Sequence, residues 1–481
     1  MYIHLVRRPG AGTGPITFRE FSMDRFFNPS SVAVIGSSNS PFNLGATISN
    51  ILGYLGFPGE LYAVNSKGED VHGSRGFKSV LDIPGEVDLA IILTPARATP
   101  GVIRECGEKG IRHLVIETAE FSEAGEGGRR LQAEISEYAR EYGMRFLGPN
   151  CLGTLNAHNR FCCFFGIIPG MYDEVFDRPG AISYVIQSGG VGALVIDSFR
   201  KDITNVNKMV SIGNKEDVDE ADLIEYFDGD NTEVICLYLE NVKNGRKLLE
   251  TARRVRKPIL VYKVGRTGEG AKAAMSHTAG MANNDIIFES ACRQTGIVRL
   301  KSISELYTLP KIFTEMPLMK GRRVAVFTNS GAFGGITADL IVEGGLEMAV
   351  FSEATQERLR STAKLFNVSN PVDLGPTLGK QAFIDIWDAI LSSDTVDGLL
   401  AVPNVWQQVV VEAICELGEI CRKYDKPAAI YIPNAIERIL AIRTGYNLPV
   451  FESPEEAVRA LTVSYEHCRA LGKKALEPLP V

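Results

Sequence analysis

The chain has 481 residues, a formal net charge of −7, and 45% hydrophobic residues. That length fits about three domains of ordinary size with ample cores, and the acidic balance argues against a nucleic-acid surface while leaving room for a local basic site for a phosphorylated ligand. No apolar run approaches the roughly 20 residues needed to span a bilayer, and Arg7 and Arg8 lead into a polar, Gly-rich segment unlike a signal peptide, so a cytoplasmic protein without membrane contact is expected.

Residues 1–24 read as an extension. The folded part begins near Phe26, and 31–35 (SVAVI) is a β-branched strand candidate ending in Gly36-Ser37-Ser38-Asn39-Ser40, followed by a helical pattern at Ile48, Ile51, Leu52 and Leu55. Further strands are expected at 59–65, 87–93, 113–116 and 144–147. Strands alternating with helices predict a parallel sheet whose ligands sit at the carboxyl ends of the strands. Nine cysteines without CxxC spacing, among them the adjacent Cys162-Cys163, fit neither a disulfide framework nor a zinc site, and no metal is expected. A second unit has strands at 181–186, 208–212, 233–239 and 258–263. The stretch 310–320, with two prolines, reads as a linker. A third unit starts at 323–327, passes through Asn329-Ser330-Gly331 into a helix, and has further strands at 398–402 and 428–432. All three units begin strand, Gly/Ser-rich loop, helix.

Several loops carry chemistry. The loop after the first strand lies where a doubly wound sheet binds phosphate, at a helix N-terminus. The second strand ends in Val64-Asn65-Ser66-Lys67, where a dinucleotide site wants an acid for the ribose; a lysine suits a phosphorylated adenosine such as that of coenzyme A. Gln187-Ser188-Gly189-Gly190 opens a helix and offers backbone N–H groups to an anion. Glu240 ends a very apolar strand at the sheet edge where a site belongs, and can orient an imidazole through one ring nitrogen. Gly213-Asn214 is placed to line the site, whereas Glu216, Asp217, Asp219 and Glu220 read as a solvated helix start. Residues 265–280 run through Gly265, Gly268 and Gly270 and present His277 between small residues ahead of an expected helix, a candidate nucleophile. Cys151 has no histidine near it in sequence and reads as a buried thiol. In the third unit, Asn329-Ser330-Gly331 and Asn370-Pro371-Val372-Asp373 are loop chemistry for an anion, for a partner, or for plain turns. There is no GxxxxGK[ST] loop, so the chain can handle phosphate without an ATP site of its own.

The order Gly36-Ser37-Ser38, Val64-Asn65-Ser66-Lys67, Gly148-Pro149-Asn150-Cys151, Gln187-Ser188-Gly189-Gly190, Gly213-Asn214, Tyr238-Leu239-Glu240 and Ser276-His277-Thr278 resembles the α subunit of NDP-forming acyl-CoA synthetases, relatives of succinyl-CoA synthetase. The likeness covers about residues 25–465. It implies an α/β fold of three parallel-sheet units: a Rossmann-like coenzyme A-binding domain (25–150), a phosphohistidine domain (151–309), the linker 310–320, and a third, flavodoxin-like domain (321–481), the second being flavodoxin-like too. It also implies an ADP-forming acid–thiol ligase working through an acyl phosphate. His277 would be the phosphohistidine, Glu240 its supporting carboxylate, and Ser188, Gly189 and Gly190 the phosphate loop. Gly36, Ser37, Ser38, Asn39, Lys67, Thr94, Pro95, Ala96 and Asn150 would hold coenzyme A. The implied partner is an ATP-grasp β subunit in a hetero-oligomer, carrying Mg2+ with ADP or ATP, and the small-molecule partners are acyl-CoA and phosphate. The chain departs from the family pattern at Ala279-Gly280 and at Glu120, which stands where the family has glycine. A coenzyme A-binding regulatory protein without turnover stays open as a second class, and an NAD-dependent dehydrogenase is disfavoured by Asn65 and Lys67.

Overall fold

The computed structural model describes residues 23–202, 205–278, 284–362, 365, 367–375, 379–405, 408–433, 439, 442–443 and 447–476, and at 200–202, 274–278 and 475–476 the backbone alone. Most of the expected extension 1–24 lies outside the described residues. Met23 and Asp24 belong to the folded body instead, in a short helix Met23–Phe26 whose Asp24 accepts a hydrogen bond from the Tyr226 hydroxyl at 3.0 Å.

The first sheet comprises β1 (Ser31–Ile35), β2 (Glu60–Val64), β3 (Arg75–Phe77), β4 (Leu89–Ile92), β5 (His113–Ile116) and β6 (Arg145–Leu147), in the order β3-β2-β1-β4-β5-β6. Every pairing in it is parallel. All five residues of β1 are buried, as expected for a parallel strand covered on both faces.

The second sheet comprises β7 (Thr154–Asn156), β8 (Phe161–Cys162), β9 (Ile182–Ile186), β10 (Val206–Ser211), β11 (Val234–Leu239), β12 (Ile259–Lys263) and β13 (Val298–Arg299), in the order β13-β12-β11-β9-β10-β7-β8. Its β7–β8 edge is an antiparallel hairpin that the sequence does not announce, since its second strand falls in the aromatic run 161–165 and shows no alternation.

The third sheet comprises β14 (Arg323–Thr328), β15 (Glu347–Met348), β16 (Val372–Asp373), β17 (Gly398–Val402), β18 (Ala428–Tyr431) and β19 (Val450–Phe451), ordered β15-β14-β17-β18-β19, with β16 also on β14. β15 and β16 share one edge of β14. Between them the Asn370 side chain completes the ladder, accepting from the Val326 N–H at 2.8 Å and donating to the Val324 and Ala349 carbonyls at 2.9 and 3.0 Å. Asn370 is therefore a structural plug rather than a ligand group.

The second sheet is the shared middle of the molecule. Along β11, Ile235, Leu237 and Leu239 join a core with β1 and β4 of the first sheet, while Val234, Cys236 and Tyr238 join a core with β14 and β17 of the third. The strand's period of two thus divides one apolar run between two interfaces. The stretch 310–320 is not an exposed connector: Lys311–Glu315 is helical, and Ile312, Met316 and Met319 are buried in the core that the second and third sheets share.

In the third unit, Trp387 is fully buried edge-on to Phe327 and Phe383, with centroids 5.4 and 5.6 Å away. Truncation of a buried Trp costs about 3–5 kcal/mol. Trp387→Ala is therefore expected to lower the urea midpoint by that equivalent, with an unchanged denaturant slope, in an equilibrium unfolding curve.

Candidate functional site

The carboxyl ends of the first two sheets face each other across a cavity of about 1220 Å³. Its walls bring together Thr94, Pro95 and Ala96 after β4, Asn150 after β6, Ser188, Gly189 and Gly190 after β9, and Glu240 after β11. These residues are spread over about a hundred and fifty positions of sequence, and the parallel topology alone makes them neighbours.

The two sheets are joined by a length of chain that runs beside the end of β6. The Asn214 N–H donates to the Pro149 carbonyl at 2.9 Å, Glu216 N–H to Gly148 at 3.1 Å, and Val218 N–H to Phe146 at 3.3 Å. Gly213 is held at φ +51, and a Cβ there would come within 2.3 Å of the Asn150 carbonyl oxygen, so only glycine permits this approach. The Asn214 side chain donates to Glu123 at 2.6 Å and to Gln132 at 3.1 Å, and Arg145 donates to Asp217 at 2.9 Å. The acids of 216–220 are thus not a solvated helix start. Asp217 binds Arg145, Asp219 caps the helix Glu220–Asp228, and Glu220 is buried against Lys215.

Glu240 and Asn241 form a turn that is fastened on both sides. The Gln187 Oε1 accepts from the Glu240 N–H at 2.8 Å and from the Asn241 N–H at 3.2 Å, while its amide nitrogen donates to the Asn241 side chain at 3.3 Å. From below, the Lys215 ammonium donates to the Asn241 carbonyl at 2.6 Å and pairs with Glu220 at 2.8 Å. Lys215 and Gln187 are 1% and 5% exposed, so these bonds work in a low-dielectric interior. Glu240, itself buried, then faces the helix Gly189–Asp202, whose free N–H groups and dipole offer partial positive charge to the same cavity. An added Cβ at Gly190 would meet nothing within 4 Å, so this end of the helix is open to a ligand.

The first loop lies against this wall: a Cβ on Gly36, at φ +96, would be 2.9 Å from the Leu93 carbonyl oxygen. Ser37 is buried and shares a 3.0 Å hydrogen bond with Ser49, Ser38 N–H donates to the Asn43 side chain at 3.1 Å, and the Asn39 amide donates to the Asp70 carbonyl at 2.9 Å. Asn43, which the sequence reading passed over, caps the helix Leu44–Tyr54 by accepting from Ala46 N–H at 2.8 Å. Lys67 is not brought to the cavity wall; its side chain is 74% exposed and 3.6 Å from Glu69. His277 lies in the last turn of the helix Gly268–Thr278, so the stretch that carries it is itself helical, and the helix Asp285–Thr295 follows it as expected. The His277 side chain, and Ala279-Gly280, lie outside the described residues.

Among the charged residues of the cavity wall the sequence reading passed over Glu117, Arg129 and Lys243, and it named Gln187 only as part of the loop before the helix, not as a brace. Arg129 and Lys243 supply cations at the rim. Glu117 is 7% exposed, and burial holds its carboxyl well above the usual range. Burial and then Glu117 raise the Cys151 thiol likewise, leaving it an inert sulfhydryl that donates to the Ile116 carbonyl at 3.3 Å. Glu120, at φ +73, occupies the left-handed conformation a glycine takes readily, and it too lines the cavity.

Residues 30–157 match the coenzyme A-binding domain family, and 179–313 match the succinyl-CoA ligase-like flavodoxin domain family. The chain is 35% identical over 467 residues to the ADP-forming acetate–CoA ligase II subunit alpha of Pyrococcus furiosus, covering 94% of this chain and 99% of that one. It is 37% identical over 360 residues to the ADP-forming acetate–CoA ligase of Methanocaldococcus jannaschii, covering 74% of this chain and 49% of that one. Its fold superposes on the dinucleotide-forming acetyl-coenzyme A synthetase 1 of Ca. Korarchaeum cryptofilum, solved in complex with phosphate and ADP, with a TM-score of 0.86, 31% identity, and coverage of 95% and 99% of the two chains.

Two outcomes follow from the buried charges. Lys215→Met strands Glu220 and is expected to cost about 3–5 kcal/mol in urea unfolding, with most of that recovered in the Lys215→Met, Glu220→Leu double variant. For Glu117 the folded carboxyl titrates above the unfolded one, so its burial costs stability as pH rises from the unfolded value towards the folded one. Glu117→Gln is expected to raise the Tm at pH 8 relative to the parent, with the gain shrinking towards pH 4.

Proposed function

The chain belongs to the family of ADP-forming acetate–CoA ligase α subunits, and we propose that its cavity is where phosphate cleaves an acyl-CoA thioester before His277 relays the phosphoryl group to ADP on a partner subunit. The chain is an α-type subunit of an ADP-forming acid–thiol ligase, with the overall reaction acyl-CoA + ADP + phosphate ⇌ acid + ATP + coenzyme A. The reading of the site rests on one observation: a single cavity carries Thr94–Ala96 and Asn150 on one side and Ser188–Gly190 with Glu240 on the other.

In this reading coenzyme A lies over the first sheet, with Gly36, Ser37, Ser38 and Asn39 at its diphosphate and the exposed Lys67 near its adenosine phosphate. A phosphate oxygen attacks the thioester carbonyl, the C–S bond breaks, and coenzyme A leaves as thiolate. The acyl phosphate's phosphoryl group then passes to an imidazole nitrogen of His277, and the acid departs. Glu240 receives the other ring nitrogen and stabilises the imidazolium, while the Ser188–Gly190 helix end holds the phosphoryl oxygens. The chemistry asks chiefly for positioning and charge, which the doubly fastened turn at Glu240 supplies.

The second half-reaction belongs to another polypeptide. The Methanocaldococcus relative is about twice as long as its matched part, which supports a separate ATP-grasp subunit supplying the rest. Mg2+ with ADP or ATP is assigned to that subunit; among the described residues no group of three or more His, Cys, Asp or Glu is placed to hold a metal ion. No helix among the described residues is long and apolar enough to cross a membrane, and we place the complex in the cytoplasm. A purely regulatory coenzyme A binder is the weaker reading, since the relatives named above are ligases or synthetases.

The chain given acyl-CoA and labelled phosphate is expected to gain an acid-labile, base-stable label, and His277→Ala to lose at least 99% of it. Label retained in that variant would sink the relay. Binding of coenzyme A with no label in the parent chain would favour the regulator.

A further inference from the structure

Glu117 follows β5 directly, lines the cavity, and is 7% exposed. Neither carboxyl oxygen has a hydrogen-bond partner among the described residues. Buried polar groups are almost always satisfied, and one left unsatisfied in a cavity wall points to a ligand group that completes it. Its neighbours do not supply that bond: the Cys151 thiol is spent on the Ile116 carbonyl at 3.3 Å, and Cys163 exchanges contacts with Thr154 at 3.1 and 3.5 Å.

Strand order fixes which end of a bound thioester Glu117 would meet. From β1, with the first loop, the sheet steps to β4, with Thr94, then to β5, with Glu117, and on to β6, which leads into Cys151 and Leu152. Leu152 in turn touches the phosphate loop, since a Cβ on Gly189 would lie 3.3 Å from its side chain. Glu117 therefore stands beyond the coenzyme loop, towards the reacting end. Burial raises its carboxyl's pKa and so favours the protonated form, which can both donate and accept, the pattern of a hydroxyl. Leu152 and Phe165 make an apolar surround, and Glu120 and Glu240 in the same wall would repel a second carboxylate on the substrate. The two Glu117 oxygens are buried, Oε1 beside Gly153, so reaching a group in the cavity takes a rotation about the side-chain bonds.

We propose that Glu117 is the acyl-group anchor of this site, its carboxyl hydrogen-bonding a hydroxyl carried by the acyl chain, so that hydroxyacyl thioesters are the preferred substrate class. The assignment rests on the reading of the cavity as the thioester site. It makes Glu117 a specificity determinant, because a site built to bond a hydroxyl rejects the analogue that lacks it.

The test uses the full chain with labelled inorganic phosphate and compares 3-hydroxybutyryl-CoA and 4-hydroxybutyryl-CoA with butyryl-CoA. The parent chain is expected to label at least tenfold faster per unit concentration with one of the hydroxylated thioesters. Glu117→Met is expected to reduce that preference at least tenfold, and Glu117→Gln, which keeps a donor and an acceptor, to hold it within about threefold. Equal use of all three thioesters by the parent overturns the anchor without recourse to any variant, as does a preference that survives in Glu117→Met. Weakened binding of free coenzyme A by Glu117→Met, with the preference intact, also overturns it and assigns the carboxyl to the coenzyme's own amides. Absence of label with every thioester overturns the ligase reading and the anchor with it, whereas label without discrimination overturns the anchor alone.

Discussion

The turn at Glu240–Asn241 is the fixed point of the site. Its two N–H groups are taken by one side-chain oxygen of Gln187, and its carbonyl is taken by the buried ammonium of Lys215. Glu220 neutralises that ammonium at 2.8 Å, so the ion pair costs desolvation yet leaves no charge uncompensated. What it secures is geometry. On the proposed reading, a carboxylate that orients a ring through a reaction gains little from strength and much from staying in place, and a turn bonded from above and below has few alternatives.

Lys215 also links this turn to the junction between sheets. It follows Gly213 and Asn214, whose backbone and side chain tie the second sheet to the first beside Asn150. One short stretch of chain therefore sets both the distance across the cavity and the height of Glu240 in its wall. The second sheet can serve two neighbours because β11 sends alternate residues to opposite cores. Its carboxyl end is left for chemistry, as parallel sheets generally leave it.

Much of this was legible in the chain. Strands such as 31–35 and 398–402 are continuous apolar, β-branched or leucine-rich runs closed by turn residues, and they appear at those bounds. The short strands were not legible: β13, β15, β16 and β19 have two residues each, and pairing rather than pattern defines them. The same holds for the site. Thr94–Ala96, Asn150, Ser188–Gly190 and Glu240 carry a recognisable order and meet in one cavity. Glu117 carries no such signal, because a glutamate after an apolar strand reads as a solvated strand end, and only the closure of the 153–163 segment over it makes it buried. Asp217, Asp219 and Glu220 misled in the opposite direction: an acidic cluster looks like surface until Arg145 and Lys215 arrive from elsewhere.

The sequence by itself determined three α/β units, their strand–loop–helix starts, and the residue types at each loop, because hydrophobic period and turn chemistry are local properties of the chain. Only the tertiary structure decided that the first two units share one cavity, that 310–320 is core rather than connector, that Asn370 completes a ladder, and that Glu117 is buried beside that cavity with neither carboxyl oxygen bonded. Each of those outcomes depends on which distant group arrives to pair, cover or leave a side chain open. Burial and hydrogen-bond satisfaction belong to pairs of residues, and no single stretch of sequence encodes them.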